Sequence, residues 1–211
     1  MSALTNVSES LIQGKSKEVK RLVEELIQEG ISPKSILTDG LMPGMDVVGR
    51  RFKNNEIYVP EVLIAARAMH AGMDVLKPYL TGSESVSIGK VVIGTVKGDL
   101  HDIGKNLVCM MLEGAGFEVV DLGIDVPSDV FIEKAKEHNA KFIMMSALLT
   151  TTMGAMKDVI QKARESGLNG VKVVIGGAPV TEAFANEIGA DGYAPDAASA
   201  VEVSRNLLKS A

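Results

Sequence analysis

Two different periods of apolar residues divide the chain. Through residues 1–80 the apolar positions recur at helical spacing. In "SKEVKRLVEELIQEG" the residues Val19, Leu22, Val23, Leu26 and Ile27 share one face, and Gly30 closes the helix. Ser32 and Pro33 form an N-cap and first-turn pair for a further helix carrying Ile36, Leu37, Leu41, Met45, Val48 and Phe52. Pro43 inside that stretch predicts a kink or a break. "FKNNEIYVP" connects to a helix opened by Pro60, with Leu63, Ala66, Met69, Met73 and Leu76 predicted inward. With a short helix near residues 4–13, these segments predict a four-helix bundle.

After a small polar stretch at 81–89, read as a linker, the period changes. β-Branched runs at 90–96, 117–123, 141–147, 171–177 and 190–194 alternate with helical stretches near 103–115, 128–139, 153–167, 179–188 and 196–209. Continuous apolar runs are the mark of strands buried on both faces. Five such βα units over 90–211 predict an α/β domain, a Rossmann-like (flavodoxin-like) five-stranded parallel sheet. Such sheets take ligands beyond the carboxyl ends of their strands.

Composition narrows the function. The chain has 211 residues, 46% hydrophobic and 23% charged, which supplies an ample core. The net charge is −5 and only 4% of residues are aromatic, which disfavours a nucleic-acid partner or an anionic membrane surface. One cysteine, Cys109, allows no internal disulfide. No signal pattern opens the chain, and no apolar run reaches the about 18 residues of a membrane span, so a cytoplasmic location is expected.

The residues with chemistry fall at predicted strand ends. Gly98, Asp99, His101, Asp102 and Gly104 follow the first strand in "GDLHDIGKN". Ser146, Leu148, Thr150 and Thr152 follow the third, and Gly176 and Gly177 end the fourth. His101 is either a solvated turn residue or a ligand whose second ring nitrogen Asp99 holds. His70 and His138 lie on other predicted helices, so a protein-only zinc site is a poor explanation. A single imidazole suits a metal that brings its other ligands in a macrocycle. The glycines allow close approach of a bulky ligand, or simply let a strand exit into a turn. Their spacing matches neither G-x-G-x-x-G nor a P-loop. The threonines at 150–152 supply a helix cap, which needs only one of them and leaves hydroxyls for a ligand or for Asp99.

Taken together, D-x-H-x-x-G at 99–104, S-x-L at 146–148 and the Gly176–Gly177 pair resemble the fingerprint of the cobalamin-binding domain family. The helical half resembles the cap that precedes this domain in methionine synthase and in the corrinoid proteins of methyltransferase systems. The resemblance implies a base-off, His-on corrinoid with cobalt held from below by His101. Asp99 would bond the distal nitrogen of His101, and Thr152 would take the place of a serine in that relay. Ser146 would bond the tail base, while Leu148, Gly176 and Gly177 would line the tail slot. Gly98, Asp102, Gly104, Thr150 and Tyr193 are further expected cofactor contacts. In the cap, Phe52 and Val59 match apolar positions over the methyl-bearing face, with Tyr58 as a neighbour.

The implied function is a methyl carrier that is not catalytic alone. It would take a methyl group on cob(I)alamin from a substrate-specific methyltransferase. It would then hand the group from methyl-cob(III)alamin to a corrinoid:tetrahydrofolate or corrinoid:coenzyme M methyltransferase, with a reductive activase as a further partner. A substrate-activating barrel needs about 250 residues by itself, so the chain is expected to be the shuttle alone. The competing readings are the cobalamin subunit of an adenosyl-dependent mutase, a cobalamin-responsive sensor and a plain flavodoxin-like module.

Overall fold

The computed structural model describes residues 2–80, 87–168 and 170–210, in two compact units, the first running to Ser87 and including Gly114–Gly116, the second holding Ile88–Glu113 and the chain from Phe117 onward. Of the stretch 81–89 read as a linker, residues 81–86 lie outside the described residues.

The first unit is helical. Helix α1 (Ala3–Ile12) starts at Ser2, whose hydroxyl accepts from the Thr5 N–H. Helix α2 (Ser16–Gln28) buries Val19, Val23 and Leu26 and ends at Gly30, whose φ of +81° is the left-handed turn a helix end favours. Ser32 caps the next helical run, accepting from the Ser35 N–H at 3.0 Å, and Pro33 fills the first turn.

Of the kink or break expected at Pro43, a break does not occur. The run continues through α3 (Pro33–Ser35), a π-helical turn (Ile36–Leu41) and α4 (Met42–Lys53). A proline ring collides with the carbonyl four residues before it. Here the preceding turn is widened, with the Met42 N–H reaching back to the Leu37 carbonyl, and that slack accommodates the ring without ending the helix.

Helix α5 (Val59–Leu76) corrects a second expectation. Leu63 is exposed, and Val62 is buried in its stead, along with Ala65, Ala66, Ala68, Met69, Gly72 and Leu76. The inward face is built largely from small residues because neighbouring side chains come close. A Cβ on Gly72 would stand 2.9 Å from Leu41 Cδ2 and 3.1 Å from Val19 Cγ1. Of the predicted inward set, Ala66, Met69 and Leu76 are buried and Met73 is half-buried, so the face is placed correctly except at Leu63.

The second unit is a five-stranded parallel sheet in the order β2-β1-β3-β4-β5, with β1 Lys90–Thr95, β2 Glu118–Asp121, β3 Phe142–Ser146, β4 Lys172–Gly176 and β5 Gly192–Ala194. The α/β architecture expected from the alternating runs is thus present. Helices α6 (Ile103–Gly114), α7 (Ser128–Glu137), α8 (Gly154–Glu165), α9 (Glu182–Ile188) and α10 (Ala197–Lys209) make the crossovers and close the chain. Phe131 of α7 and Met156 of α8 are wholly buried in a cluster with Val92, Ile143 and Ile175 of the central strands. Gly94 makes room for it: a Cβ there would lie 2.9 Å from Phe131 Cζ. Strand order reverses between β1 and β3, and in a doubly wound sheet that switch point opens the ligand crevice at the strands' carboxyl ends. Among the described residues no helix is long and apolar enough to cross a membrane.

Candidate functional site

The loops after β1 and β3 meet at one buried carboxylate. Asp99 has no exposed surface, so its charge needs partners, and five donors supply them. Oδ2 accepts from the Leu148 N–H (2.8 Å), the Leu149 N–H (3.2 Å) and the Thr152 hydroxyl (2.7 Å). Oδ1 accepts from the His101 N–H (3.2 Å) and pairs with His101 Nδ1 at 2.7 Å. Burial pushes the carboxyl's pKa up, but the bonds from Thr152, His101 and the Leu148 amide outweigh it and hold it well below the ordinary carboxylate range.

An ionised Asp99 accepts only, so Nδ1 of His101 must be the nitrogen that carries the proton. In the neutral ring this leaves a lone pair on Nε2. The imidazole is about half exposed, 49%. Asp99 thus selects the tautomer that turns a ligating nitrogen away from itself, which a solvated turn histidine has no cause to do. Among the described residues no three His, Cys, Asp or Glu side chains gather to hold an ion. The protein therefore offers a metal here one imidazole, a donor set that fits a metal already ligated by a macrocycle and not a bare zinc.

Backbone contacts fix the loop around His101. The Thr95 hydroxyl donates to the His101 carbonyl (2.8 Å). Gly98, at φ +84°, donates its N–H to Asp125 Oδ1 (2.7 Å), and the Asp125 N–H donates to the Asp99 carbonyl (3.0 Å). Beneath the first turn of α6, Lys105 is buried and pairs with Asp121 (2.6 Å) at the end of β2 and with Asn106 (2.7 Å).

Large apolar side chains stand open on these same loops. Leu100 and Ile103 flank His101, and Ile103 is 79% exposed. Leu148 and Leu149, whose amides hold Asp99, are exposed as well, as is Ile124 next to Asp125. Apolar groups gathered in the open mark a surface that a partner or ligand covers.

The other expected contacts differ in their surroundings. Ser146 lies in register with Gly176 at the carboxyl edge, and among the described residues nothing hydrogen-bonds its hydroxyl. Gly176 and Gly177 are demanded by packing: a Cβ on Gly176 would stand 2.7 Å from the Ala194 carbonyl, and one on Gly177, at φ +129°, would run into the Ala147 carbonyl. Gly104 has open space where a side chain would be. Asp102 is exposed and accepts from Asn106 Nδ2 at 3.1 Å, and Thr150 is exposed in the turn without joining the Asp99 cluster. Tyr193 sits in β5, half-buried against the core cluster. Phe52, in the last turn of α4, and Val59, in the first turn of α5, are half-buried in the helical unit, where Tyr58 is 66% exposed.

The helix cap expected from the threonines is absent. Helix α8 begins at Gly154 after Met153, with no side-chain cap. Thr152 is instead committed to Asp99, with its Oγ1 also 2.8 Å from the Leu149 carbonyl. His138 stands at the C-terminal end of α7 and Cys109 is buried, its thiol pushed up to about 12 by burial. Sequence reasoning missed Thr95, Asp125, Leu149 and the Lys105–Asp121 pair. Only a cation within the otherwise apolar repeat of α6 signalled the last of these.

Residues 89–202 match a family described as the B12 binding domain, and residues 3–77 match a second family of the same description. Dimethylamine corrinoid protein 2 of Methanosarcina acetivorans is 45% identical over 207 residues, 97% of this chain and 95% of that protein. A corrinoid protein of Desulfitobacterium hafniense is 40% identical over 99% of this chain and 98% of its own length. Among solved structures, the methanol:cobalamin methyltransferase complex of Methanosarcina barkeri contains a chain that aligns with a TM-score of 0.89 at 30% identity, covering 99% of this chain and 80% of that one. A cobalamin-binding protein from Desulfitobacterium hafniense aligns with a TM-score of 0.80 at 33% identity, covering 97% and 98%.

Proposed function

We infer that this chain, which belongs to the B12 binding domain family, is the corrinoid-bearing methyl carrier of a methyltransferase system. The bound corrinoid supplies a cobalt centre able to take a methyl group from one methyltransferase and yield it to another. Everything else is the work of the protein. His101 would hold the cobalt through Nε2, and Asp99 keeps the proton on Nδ1. Thr152 and the amides of Leu148 and Leu149 keep Asp99 anionic and in place. Leu100, Ile103, Leu148 and Leu149 offer the apolar surface for the macrocycle. Ser146, Gly176 and Gly177 would hold the tail, and Phe52 and Val59 would shield the methyl group.

The observation that carries this reading is the Asp99–His101 pair, which turns a free ring nitrogen out among exposed apolar residues. The partners we infer are a substrate-specific methyltransferase, an acceptor-side methyltransferase using tetrahydrofolate or coenzyme M, and a reductive activase. The donor is chosen by the first of these partners. We place this work in the cytoplasm, where buried Cys109 remains a thiol. Relatives named as corrinoid proteins of methylated amines favour this reading over an adenosyl mutase subunit or a sensor.

The test is anaerobic reconstitution with methylcobalamin, on wild type and on His101→Ala, followed by desalting. One corrinoid per chain is expected, with an absorbance spectrum that shifts in the variant. Wild-type protein that retains none would overturn the reading.

A further inference from the structure

We propose that Thr95 is the positioning residue that ties His101 to the centre of the sheet and so presets the direction of its imidazole. The bond is direct: Thr95 Oγ1 donates to the His101 carbonyl at 2.8 Å. Its anchor is rigid. Thr95 ends β1, a central strand paired on both sides, and it stands in register with Ser146 of β3. Its own N–H donates to the Gly123 carbonyl (3.0 Å), and its carbonyl accepts from the Val126 N–H (3.0 Å). The side chain has no exposed surface, so its hydroxyl cannot exchange its partner for water.

His101 needs such a tie. Its ring is about half exposed, so packing alone does not hold it. Its N–H and Nδ1 both bond Asp99 Oδ1. Two bonds to one oxygen leave the residue free to pivot about that oxygen together with Leu100. The Thr95 bond is a second point of attachment, at the His101 carbonyl and from strand β1, and two points remove the pivot. A ligand held this way is oriented before anything binds, so less conformational freedom is lost on binding. The link from Thr95 to ligation rests on the reading of His101 as the lower ligand; the link to His101 itself does not.

The experiment compares wild type, Thr95→Val and Thr95→Ser. Valine keeps the shape and removes the donor, and serine restores it. The first readout is amide hydrogen exchange by NMR on protein without corrinoid. Exchange at His101 should quicken about three- to tenfold in Thr95→Val, the span of one ordinary hydrogen bond. The Ile143 amide in β3 should not change, and Thr95→Ser should stay within about twofold of wild type. The second readout is the His-on fraction of the reconstituted protein from its absorbance spectrum, expected to fall in Thr95→Val and return in Thr95→Ser. Should Thr95→Val not fold, Thr95→Cys, a weak donor of similar size, takes its place under the same criteria. A His101 rate within twofold of wild type, an equal rise at Ile143, or an unchanged His-on fraction each overturns the proposal. Wild type that shows the exchange pattern but holds no corrinoid refutes the carrier reading while leaving the Thr95–His101 tie standing.

Discussion

The Thr152 hydroxyl donates to Asp99 Oδ2 at 2.7 Å across 53 positions of sequence, and this bond joins the loop after β3 to the loop after β1. It also decides the state of a third residue: by holding Asp99 as an acceptor, it keeps the proton of His101 on Nδ1. Removing the hydroxyl should therefore cost stability and loosen the ligand together. A hydrogen bond to a charged group contributes about 1.5–3 kcal/mol. Thr152→Val should lose about that much in urea unfolding, and Thr152→Ser should recover most of it.

Asp99→Asn tests the tautomer. An amide has one acceptor oxygen, and three donors already face the Oδ2 side. With its oxygen there, the amide presents NH₂ to His101 Nδ1 and favours the proton on Nε2. The expected outcome is a folded protein whose ¹⁵N NMR shows the opposite imidazole tautomer and whose bound corrinoid lacks the histidine ligand. A retained Nδ1–H tautomer would contradict this.

The pH dependence has a definite sign. The Asp99 carboxyl is held below its ordinary range in the folded chain, where hydrogen bonds outweigh burial. The unfolded chain then binds the proton more readily, so Asp99 contributes stability above its unfolded pKa of about 3.9. That contribution falls away as pH drops below about 4 toward the folded value. The stability difference between wild type and Asp99→Asn, followed by denaturant unfolding, should shrink as pH falls below about 4.

Lys105 and Asp121 should respond unequally. Lys105 is 2% exposed, whereas Asp121 is 41% exposed. Asp121→Ala strands a buried cation, which costs about 3–5 kcal/mol. Lys105→Met leaves a carboxylate that water can reach and keeps the buried stem, so it should cost less than about 2 kcal/mol. Thermal unfolding of the two variants gives the order directly.

Gly177→Ala should fail in the fold before it fails in binding. At φ +129° its added methyl meets the Ala147 carbonyl. Left-handed strain alone costs about 1–3 kcal/mol, and the clash adds to it. Loss of the cooperative thermal transition near the wild-type temperature would show it; an unchanged transition would mean that the loop yields freely.

Much of this molecule was legible in the chain. Continuous apolar runs marked the three central strands β1, β3 and β4, because strands covered on both faces are built mainly of apolar residues. Asp99, His101 and Gly104 stand so close in sequence that one loop and the first turn of α6 present them whatever the rest of the fold does. The relations that distance in sequence conceals were settled by tertiary structure. The resemblance already pointed Thr152 toward Asp99; that the bond leaves α8 uncapped was decided by the tertiary structure, because a buried charge needs donors more than a helix end open to water does. Leu63 turned outward because α5 packs through Ala65, Ala66 and Gly72, and helical spacing alone cannot rank a small face against a large one. Pro43 stayed within a helix because the π-helical turn before it gave its ring room. The bond from Thr95 to His101 spans only six residues, yet nothing in a β-branched strand end announces it. It exists because β1 stops where the chain must turn back, and that stopping point is set by the strands on either side.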